Sequence, residues 1–176
     1  MLAPYAVRLA PHDPAWAEQA EREGARILKA VGPAIASIQH IGSTSIPGIL
    51  AKPIIDLMGI GPDLEAIESA RPALESIGYA WHGDYGLEGR RYCTLTDMTT
   101  GLRRFHLHCY AEGDHSIRRH LAFRDYLRAR SDQAHDYERM KQACAAQHPA
   151  DSNAYTACKD RWIARVEAAA LKSFGW

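Results

Sequence analysis

Apolar residues that recur every three or four positions predict a helix near the beginning of the chain. Asp13–Pro14 is a favourable helix start, because aspartate caps the first free N–H groups and proline fits the first helical position. The helix should end at Gly32–Pro33, and residues 34–41 then form a predicted strand. The buried face of this helix should carry Trp16, Ala20, Ile27 and Val31.

The middle of the chain alternates between strand-like and helix-like segments. Four strands are predicted, at residues 53–60, 79–81, 91–97 and 104–110. The last two should form a hairpin that turns through residues 99–101. A helix over residues 63–77 should be kinked or divided at Pro72, because proline lacks the N–H that a helix interior needs.

The last third of the chain is predicted to be helical. Three helices should begin at capping residues, which are Asp114, Asp132 and either Asp151 or Ser152. A mixed α/β part followed by a helical part predicts an α+β fold, a mixed β-sheet with helices packed on it. One domain over residues 1–176 is expected from this length.

Composition narrows the class of protein. Of the 176 residues, 47% are hydrophobic, and 21 basic residues balance 21 acidic ones, which argues against a protein that coats nucleic acid. The longest weakly polar run, residues 41–51, is too short to cross a bilayer, so no membrane partner is expected. The first residues show no secretory signal, and a cytoplasmic location is therefore expected.

The four cysteines are widely spaced and form no CxxC pair, which argues against a structural zinc site. In a cytoplasmic protein their thiols should be reduced and buried. These residues are Cys93, Cys109, Cys144 and Cys158.

The strongest local signal for chemistry is Gly42–Ser43 followed by Asp56 in the next predicted strand. Glycine lets the backbone approach a phosphate and serine adds a hydroxyl, while the carboxylate could hold a divalent cation beside it. A glycine–serine turn is also common without any ligand. Asp56, among apolar neighbours, either accepts backbone hydrogen bonds or meets a metal or a cation such as Lys52.

A second cluster of polar residues lies in residues 105–110. Strand alternation puts His106, His108 and Tyr110 on one face, where the two imidazoles could bind a metal or meet a phosphate. The alternative is a sheet face that is exposed or internally hydrogen-bonded. His40, just before the glycine, could belong to the same pocket or be an ordinary strand residue.

Several basic residues are candidates for binding an anion, although most surface arginines are solvated or paired. Arg91 and Arg124 are each flanked by apolar residues, and Tyr155 and Lys159 are one helical turn apart. Neither a nucleophile elbow nor a P-loop is present.

Together these motifs resemble the GrpB family. The resemblance is carried by residues 40–48 (HIGSTSIPG) and 51–56 (AKPIID), with further matching segments at 104–108 and 121–128, and it extends over nearly the whole chain. It implies a nucleotidyltransferase-type fold, in which a Gly-Ser turn lies against nucleotide phosphates and an Asp-x-Asp/Glu pair holds Mg²⁺. Asp56 matches one acidic position, but the other is Met58 or Ile54, neither of which can bind Mg²⁺.

The expected function is therefore metal-dependent transfer of a nucleotidyl or phosphoryl group to a small acceptor, with enzymatic activity left open by the missing carboxylate. The cofactor would be Mg²⁺ or Mn²⁺, and the partner a nucleotide or another phosphate-bearing small molecule. The candidate catalytic and metal-binding residues are Asp56, His106 and His108. The candidate phosphate- or substrate-binding residues are His40, Gly42, Ser43, Thr44, Lys52, Arg91, Arg124, Tyr155 and Lys159.

Two alternatives from other functional classes remain at this point. The protein could be a catalytically silent accessory module that binds a nucleotide or another anion, which the missing carboxylate favours. It could also be a metal-binding protein that uses the face formed by His106 and His108 without any nucleotide.

Overall fold

A computed structural model describes residues 3–176 and contains five strands, six α-helices and two short 3₁₀ turns, at Gly32–Ala34 and Ser43–Ser45. The strands are β1 Ser37–Ile41, β2 Ile55–Gly61, β3 Tyr79–Trp81, β4 Arg90–Thr96 and β5 Arg103–Ala111. The helices are α1 Ala15–Val31, α2 Leu64–Ser69, α3 Arg71–Ser76, α4 His115–Ala129, α5 Ser131–Gln147 and α6 Ser152–Ser173. Met1 and Leu2, which the predicted domain also includes, lie outside the described residues.

The five strands form one mixed sheet in the order β1-β2-β5-β4-β3. β2 and β5 are parallel, and every other neighbouring pair is antiparallel. The parallel register places Asp56 beside His106 and Met58 beside His108. The mixed sheet and the helical C-terminal region agree with the predicted α+β fold.

The main core lies between one face of the sheet and helices α1 to α3. The predicted face of α1 is buried there against alternate residues of β2 and β5, including Leu57 and Leu107. Since successive side chains of a strand point to opposite faces, Asp56, His106 and His108 face the other side of the sheet.

Helices α4 to α6 pack on that second face but cover only part of it. Phe123, Tyr137 and Val166 form the core among these helices. A smaller cluster of Ile41, Met58 and Tyr110 lies where α4 covers the sheet. The uncovered part of the face contains the polar residues described below.

The first described residues run across the molecule and connect to α6. The Tyr5 N–H donates to Ser152 Oγ at 3.2 Å, and the Val7 N–H donates to the Pro149 carbonyl at 2.8 Å. An antiparallel bridge between Ala10 and Ala51 fixes the end of this segment.

Some element boundaries differ from the predicted ones. β1 begins at Ser37 and not at residue 34, because the 3₁₀ turn that follows α1 extends through Ala34. Asp114 and Asp151 cap their helices as predicted, whereas Asp132 lies inside the first turn of α5. The helix over residues 63–77 is divided ahead of Pro72 into α2 and α3.

The prediction of four reduced thiols is wrong for one pair. A disulfide joins Cys144 of α5 to Cys158 of α6. The packing of these two helices brings together residues that are 14 positions apart, and residue spacing alone does not reveal such a contact. Cys93 and Cys109 are free and buried, as predicted.

Among the helices that the structure describes, none combines the length and the apolar character needed to cross a membrane.

Candidate functional site

Asp56, His106 and His108 form a compact cluster on the open face of the sheet. His106 Nδ1 lies 3.0 Å from Asp56 Oδ1, and His108 Nε2 lies 3.8 Å from the same oxygen. One nitrogen or oxygen atom from each residue lies within 4.8 Å of the others. Two imidazoles and a carboxylate at this spacing fit the coordination of a single divalent metal ion.

The charge state of the cluster suits metal binding. Burial would raise the pKa of the Asp56 carboxyl, but the hydrogen bond from His106 and the proximity of His108 outweigh it and hold that pKa below its ordinary value. Burial lowers the pKa of His106 despite the neighbouring carboxylate, which favours the neutral imidazole. Because a carboxylate only accepts hydrogen bonds, His106 Nδ1–H donates to Asp56. Metals bind carboxylates and neutral imidazoles.

The Gly42–Ser43 turn lies directly against Asp56. Gly42 has a φ of +71°, and a Cβ atom at this position would overlap the Asp56 carboxylate. The Ser45 hydroxyl closes the turn by donating to the Gly42 carbonyl at 2.6 Å. Ser43 faces the same cavity as Asp56, so the structure brings together the two sides of the predicted phosphate motif.

A cavity of about 780 Å³ opens above this cluster. Eight of the predicted site residues line it, and they are Gly42, Ser43, Lys52, Asp56, His106, His108, Tyr155 and Lys159.

Two lysines form the positive flank of the cavity beside α6. The ammonium groups of Lys52 and Lys159 lie 5.2 and 4.3 Å from the centre of the same Tyr155 ring. Lys52 also donates to the Tyr5 hydroxyl at 3.1 Å. Burial and the charge of Lys52 lower the pKa of Lys159 to about 8. Neither lysine forms an ion pair with a carboxylate of the described residues, so this flank can receive an anion.

Three predicted binding residues support the turn from outside the cavity. His40 Nε2 and Thr44 Oγ1 are hydrogen-bonded at 2.9 Å, and Thr44 is buried. Arg124 donates to the His40 carbonyl at 3.1 Å and pairs with Asp125. These contacts fix the turn after β1 and leave the three side chains away from the cavity.

Arg91 does not lie at the cavity, contrary to the prediction. It pairs with Glu68 of α2 on the other side of the sheet. Arg90 faces the cavity instead, and its guanidinium donates to the carbonyls of Asp84 and Tyr85. The apolar residues that flank Arg91 suggested that its side chain faces the site. The pairing register of β4 with β5 decides which face of the sheet each arginine occupies.

Several residues of the cavity were missed at the level of sequence. They are Tyr5, Tyr85, Arg90, Tyr92, Arg103 and Tyr137. Tyr92 had a detectable signal, because it shares a strand face with Thr94 in the hairpin opposite His106 and His108. Tyr5 comes from a segment without regular structure, and Tyr137 comes from the face of α5 assigned to the core.

Apolar residues occupy both positions at which the second carboxylate of the Asp-x-Asp/Glu pair was sought. Met58 is fully buried and packs against Ile41 and Tyr110. Ile117 and Leu121 of α4 close this cluster. An acidic side chain here would be desolvated under α4, whereas Ile54, the other position considered, lines the cavity with an apolar side chain.

Comparison with known proteins shows the family to which the chain belongs. The sequence profile of the GrpB protein family matches residues 6–169. The chain belongs to the GrpB family. It is 42% identical over 152 residues to the UPF0157 protein YqkA of Bacillus subtilis. That alignment covers 86% of this chain but only 43% of YqkA, so the chain spans less than half of that relative.

Two solved structures resemble this chain to different degrees. The crystal structure of conserved protein GrpB from Enterococcus faecalis is 36% identical, with a TM-score of 0.88 over 96% of this chain and all of the other. Cid1 in complex with its short product ApU is 15% identical, with a TM-score of 0.54 over 78% of this chain and 43% of Cid1. This second likeness concerns the fold, which places the GrpB chain among nucleotidyltransferase-like folds.

Proposed function

We propose that this GrpB-family protein binds a nucleotide or another phosphate-bearing small molecule with a divalent metal, and transfers a nucleotidyl or phosphoryl group to a small acceptor. The observation that carries the proposal is the position of Asp56. Its carboxylate contacts the Gly42 turn on one side and His106 on the other, and all three face one cavity. Phosphate binding and metal binding are thereby possible at adjacent atoms.

Asp56, His106 and His108 would hold the metal, which supplies a positive charge that polarises the phosphoryl oxygens. Imidazole nitrogen suits Mn²⁺ or another transition metal better than Mg²⁺. We therefore expect Mn²⁺ to support binding more effectively than Mg²⁺. His108 Nδ1 is buried without a hydrogen-bond partner in the described part of the chain, whereas its Nε2 faces Asp56.

The remaining groups of the cavity would position the phosphates. Ser43 offers a hydroxyl and a backbone N–H at the turn, and Lys52 and Lys159 offer two positive charges on the adjacent flank. These groups neutralise charge that develops on the departing phosphate. In the transfer, the acceptor oxygen bonds to phosphorus and the acceptor proton passes to a basic group. The bond that breaks releases pyrophosphate in nucleotidyl transfer, or a nucleoside diphosphate in phosphoryl transfer.

A second candidate function is a silent module that binds a nucleotide or another anion without reaction. The burial of Met58 favours it, because phosphoryl transfer with two metals needs more than one carboxylate. The two candidates share nucleotide binding. They differ in that the silent module needs no metal and releases neither pyrophosphate nor a nucleoside diphosphate.

The test measures thermal stability, calorimetric binding and product release with the four ribonucleoside triphosphates, each with Mn²⁺, Mg²⁺ or a chelator. We expect nucleotide binding that requires metal and is stronger with Mn²⁺ than with Mg²⁺. In Asp56→Asn the nucleotide affinity should fall by more than the 10–100-fold that is typical when a metal site loses an outer-shell partner. Asp160→Asn is the matched control, because Asp160 lines the cavity outside the metal cluster.

Each alternative predicts a different result. Binding that survives the chelator, with release of neither pyrophosphate nor a nucleoside diphosphate, supports the silent module. A response to metal alone, lost when both His106 and His108 are replaced by alanine, supports a metal-binding protein. Equal nucleotide binding by Asp56→Asn and the wild-type protein would falsify the proposed site.

A further inference from the structure

Arg103 lines the cavity at the beginning of β5, on the flank that faces β4. Its Nε donates to Thr96 Oγ1 at 3.1 Å, which holds the side chain in place. Among residues 3–176, no carboxylate pairs with Arg103. A guanidinium that is held in a cavity without a carboxylate partner of its own is a two-pronged donor suited to an oxyanion.

A β-bulge brings Arg103 to this face. Leu95 pairs with Phe105 and Thr96 pairs with Arg103, so Arg104 is an extra residue on β5. Strict alternation from Phe105, which is in the main core, would point Arg103 into that core as well. The extra residue reverses this direction. Bulges of this kind re-aim side chains and are frequent beside functional sites.

Arg104 shows the opposite arrangement. It is exposed, lies near Asp97 with 3.8 Å between Nη1 and Oδ2, and reaches Gln19 of α1 at 3.5 Å. Two consecutive arginines of one strand therefore differ in whether a carboxylate neutralises them. Arg104 is paired with a carboxylate outside the cavity, whereas Arg103 lies inside the cavity without one.

Aromatic residues form the wall next to Arg103. The rings of Tyr85 and Tyr92 are stacked with their centres 5.2 Å apart, and the His82 ring lies 5.6 Å from that of Tyr92. Burial lowers the pKa of His82, and the charge of Arg103 lowers it further. Arg90 also lies over the Tyr92 ring, 5.1 Å from its centre, but its guanidinium already donates to the carbonyls of Asp84 and Tyr85.

The two positive regions of the cavity lie on different flanks of the metal cluster. Lys52 and Lys159 meet over Tyr155 beside β2 and α6, whereas Arg103 is anchored to β4. His106, on β5 between them, contacts Asp56 of β2. A donor whose phosphates occupy the Gly42 turn and the lysines would leave the Arg103 flank for the second substrate.

We propose that Arg103 is an anion-binding residue for the acceptor, and that the acceptor is a small molecule with a carboxylate or phosphate group. The assignment to an acceptor rests on the proposed function, whereas the anion subsite itself does not. A carboxylate and a phosphate offer the same paired oxygens to a guanidinium, and the test below distinguishes them.

The experiment saturates the protein with Mn²⁺ and a nucleoside triphosphate that binds, and then titrates inorganic phosphate or succinate by calorimetry. We expect one of these anions to bind the wild-type protein and Arg104→Met, and to bind Arg103→Met about tenfold or more weakly. Nucleotide affinity should be equal in all three proteins. Phosphate binding indicates a phosphorylated acceptor, and succinate binding a carboxylate acceptor. The thermal midpoint of each variant without ligand checks its folding.

Three results would overturn the proposal. One is equal anion binding by Arg103→Met and the wild-type protein, and another is no binding of either anion to the wild-type protein. The third is a loss of nucleotide affinity in Arg103→Met as large as in Lys159→Met, which would make Arg103 part of the donor site. If no nucleotide binds the wild-type protein, the proposed function fails separately, and the same anion titrations on the nucleotide-free proteins still decide the role of Arg103.

Discussion

Gly42 is the residue at which the turn after β1 comes closest to the side chain of Asp56. Its φ of +71° lies in the left-handed region, and the space for a Cβ atom is already occupied by the Asp56 carboxylate. The glycine is therefore required both by the backbone conformation and by the contact with the Asp56 carboxylate. The Gly-Ser sequence predicts the backbone conformation but not the contact with Asp56.

Gly42→Ala should separate the two requirements when it is compared with Gly48→Ala. Gly48 has a φ of +79° but open space around it, so alanine there adds only backbone strain, of roughly 1–2 kcal/mol. Gly42→Ala should lower the free energy of unfolding by more than this and also weaken Mn²⁺ binding, because Asp56 must move. Urea unfolding and electron paramagnetic resonance of free Mn²⁺ measure the two effects. Equal behaviour of the two variants would show that the contact with Asp56 is unimportant.

The residues of the site differ in how far sequence could identify them. Gly42, Asp56, His106 and His108 follow from a short motif and from strand alternation, which are local properties. Arg91 was wrongly placed, because its face depends on the pairing of β4 with β5.

Among the elements, α6 connects the fold to the cavity most directly. Its first turns carry Ser152, Tyr155 and Lys159, and its N-terminus is capped by Asp151, which accepts from the N–H groups of Asn153 and Ala154 at 2.9 and 3.0 Å. The position of Lys159 therefore depends on how well this helix end is ordered.

Asp151→Ala should lower the free energy of unfolding by about 1 kcal/mol, because two N–H groups at the start of α6 lose their acceptor. Asp151→Asn should retain most of the stability, since its side-chain oxygen can still cap the helix. Chemical denaturation followed by circular dichroism gives both values. A loss of equal size in both variants would indicate that the negative charge matters more than the cap.

The elements were more predictable than their contacts. The division of the helix at Pro72 and the caps at Asp114 and Asp151 depend on single residues, and sequence indicated them correctly. The disulfide between Cys144 and Cys158 and the bulge at Arg104 depend on how two elements pack or pair, which residue types in one segment do not specify.

On the scale of the whole molecule, equal numbers of acidic and basic residues conceal an uneven distribution. The cavity contains four basic side chains against two carboxylates. The basic side chains are Lys52, Arg90, Arg103 and Lys159, and the carboxylates are Asp56 and Asp160. A neutral total charge argues against a coating role on nucleic acid, yet it says nothing about a local site for an anion.

A buried lysine should make the stability of the protein depend on pH. Lys141 of α5 is almost fully buried and donates to the Leu50 carbonyl, and burial lowers its pKa from 10.5 to about 7. Between these pH values the unfolded chain binds more protons than the folded one, so this residue makes the unfolding free energy rise with pH, by up to about 1.4 kcal/mol per unit. Below pH 7 its contribution is constant.

Lys141→Met removes this titration, and the difference between the wild-type and variant unfolding free energies should therefore change between pH 7 and 10. Urea unfolding at several pH values provides the comparison. Parallel curves for the two proteins across this range would mean that Lys141 keeps its ordinary pKa.

The extra residue on β5 affects how relatives of this chain should be compared. Without Arg104 the preceding arginine would directly precede Phe105, and regular alternation would still direct it to the cavity. A relative of the same length whose strand pairs without the bulge would instead turn this arginine into the core, although the aligned residues are identical. An aligned arginine column is consequently a poor criterion for grouping family members by ligand unless the strand pairing before the first histidine is compared as well.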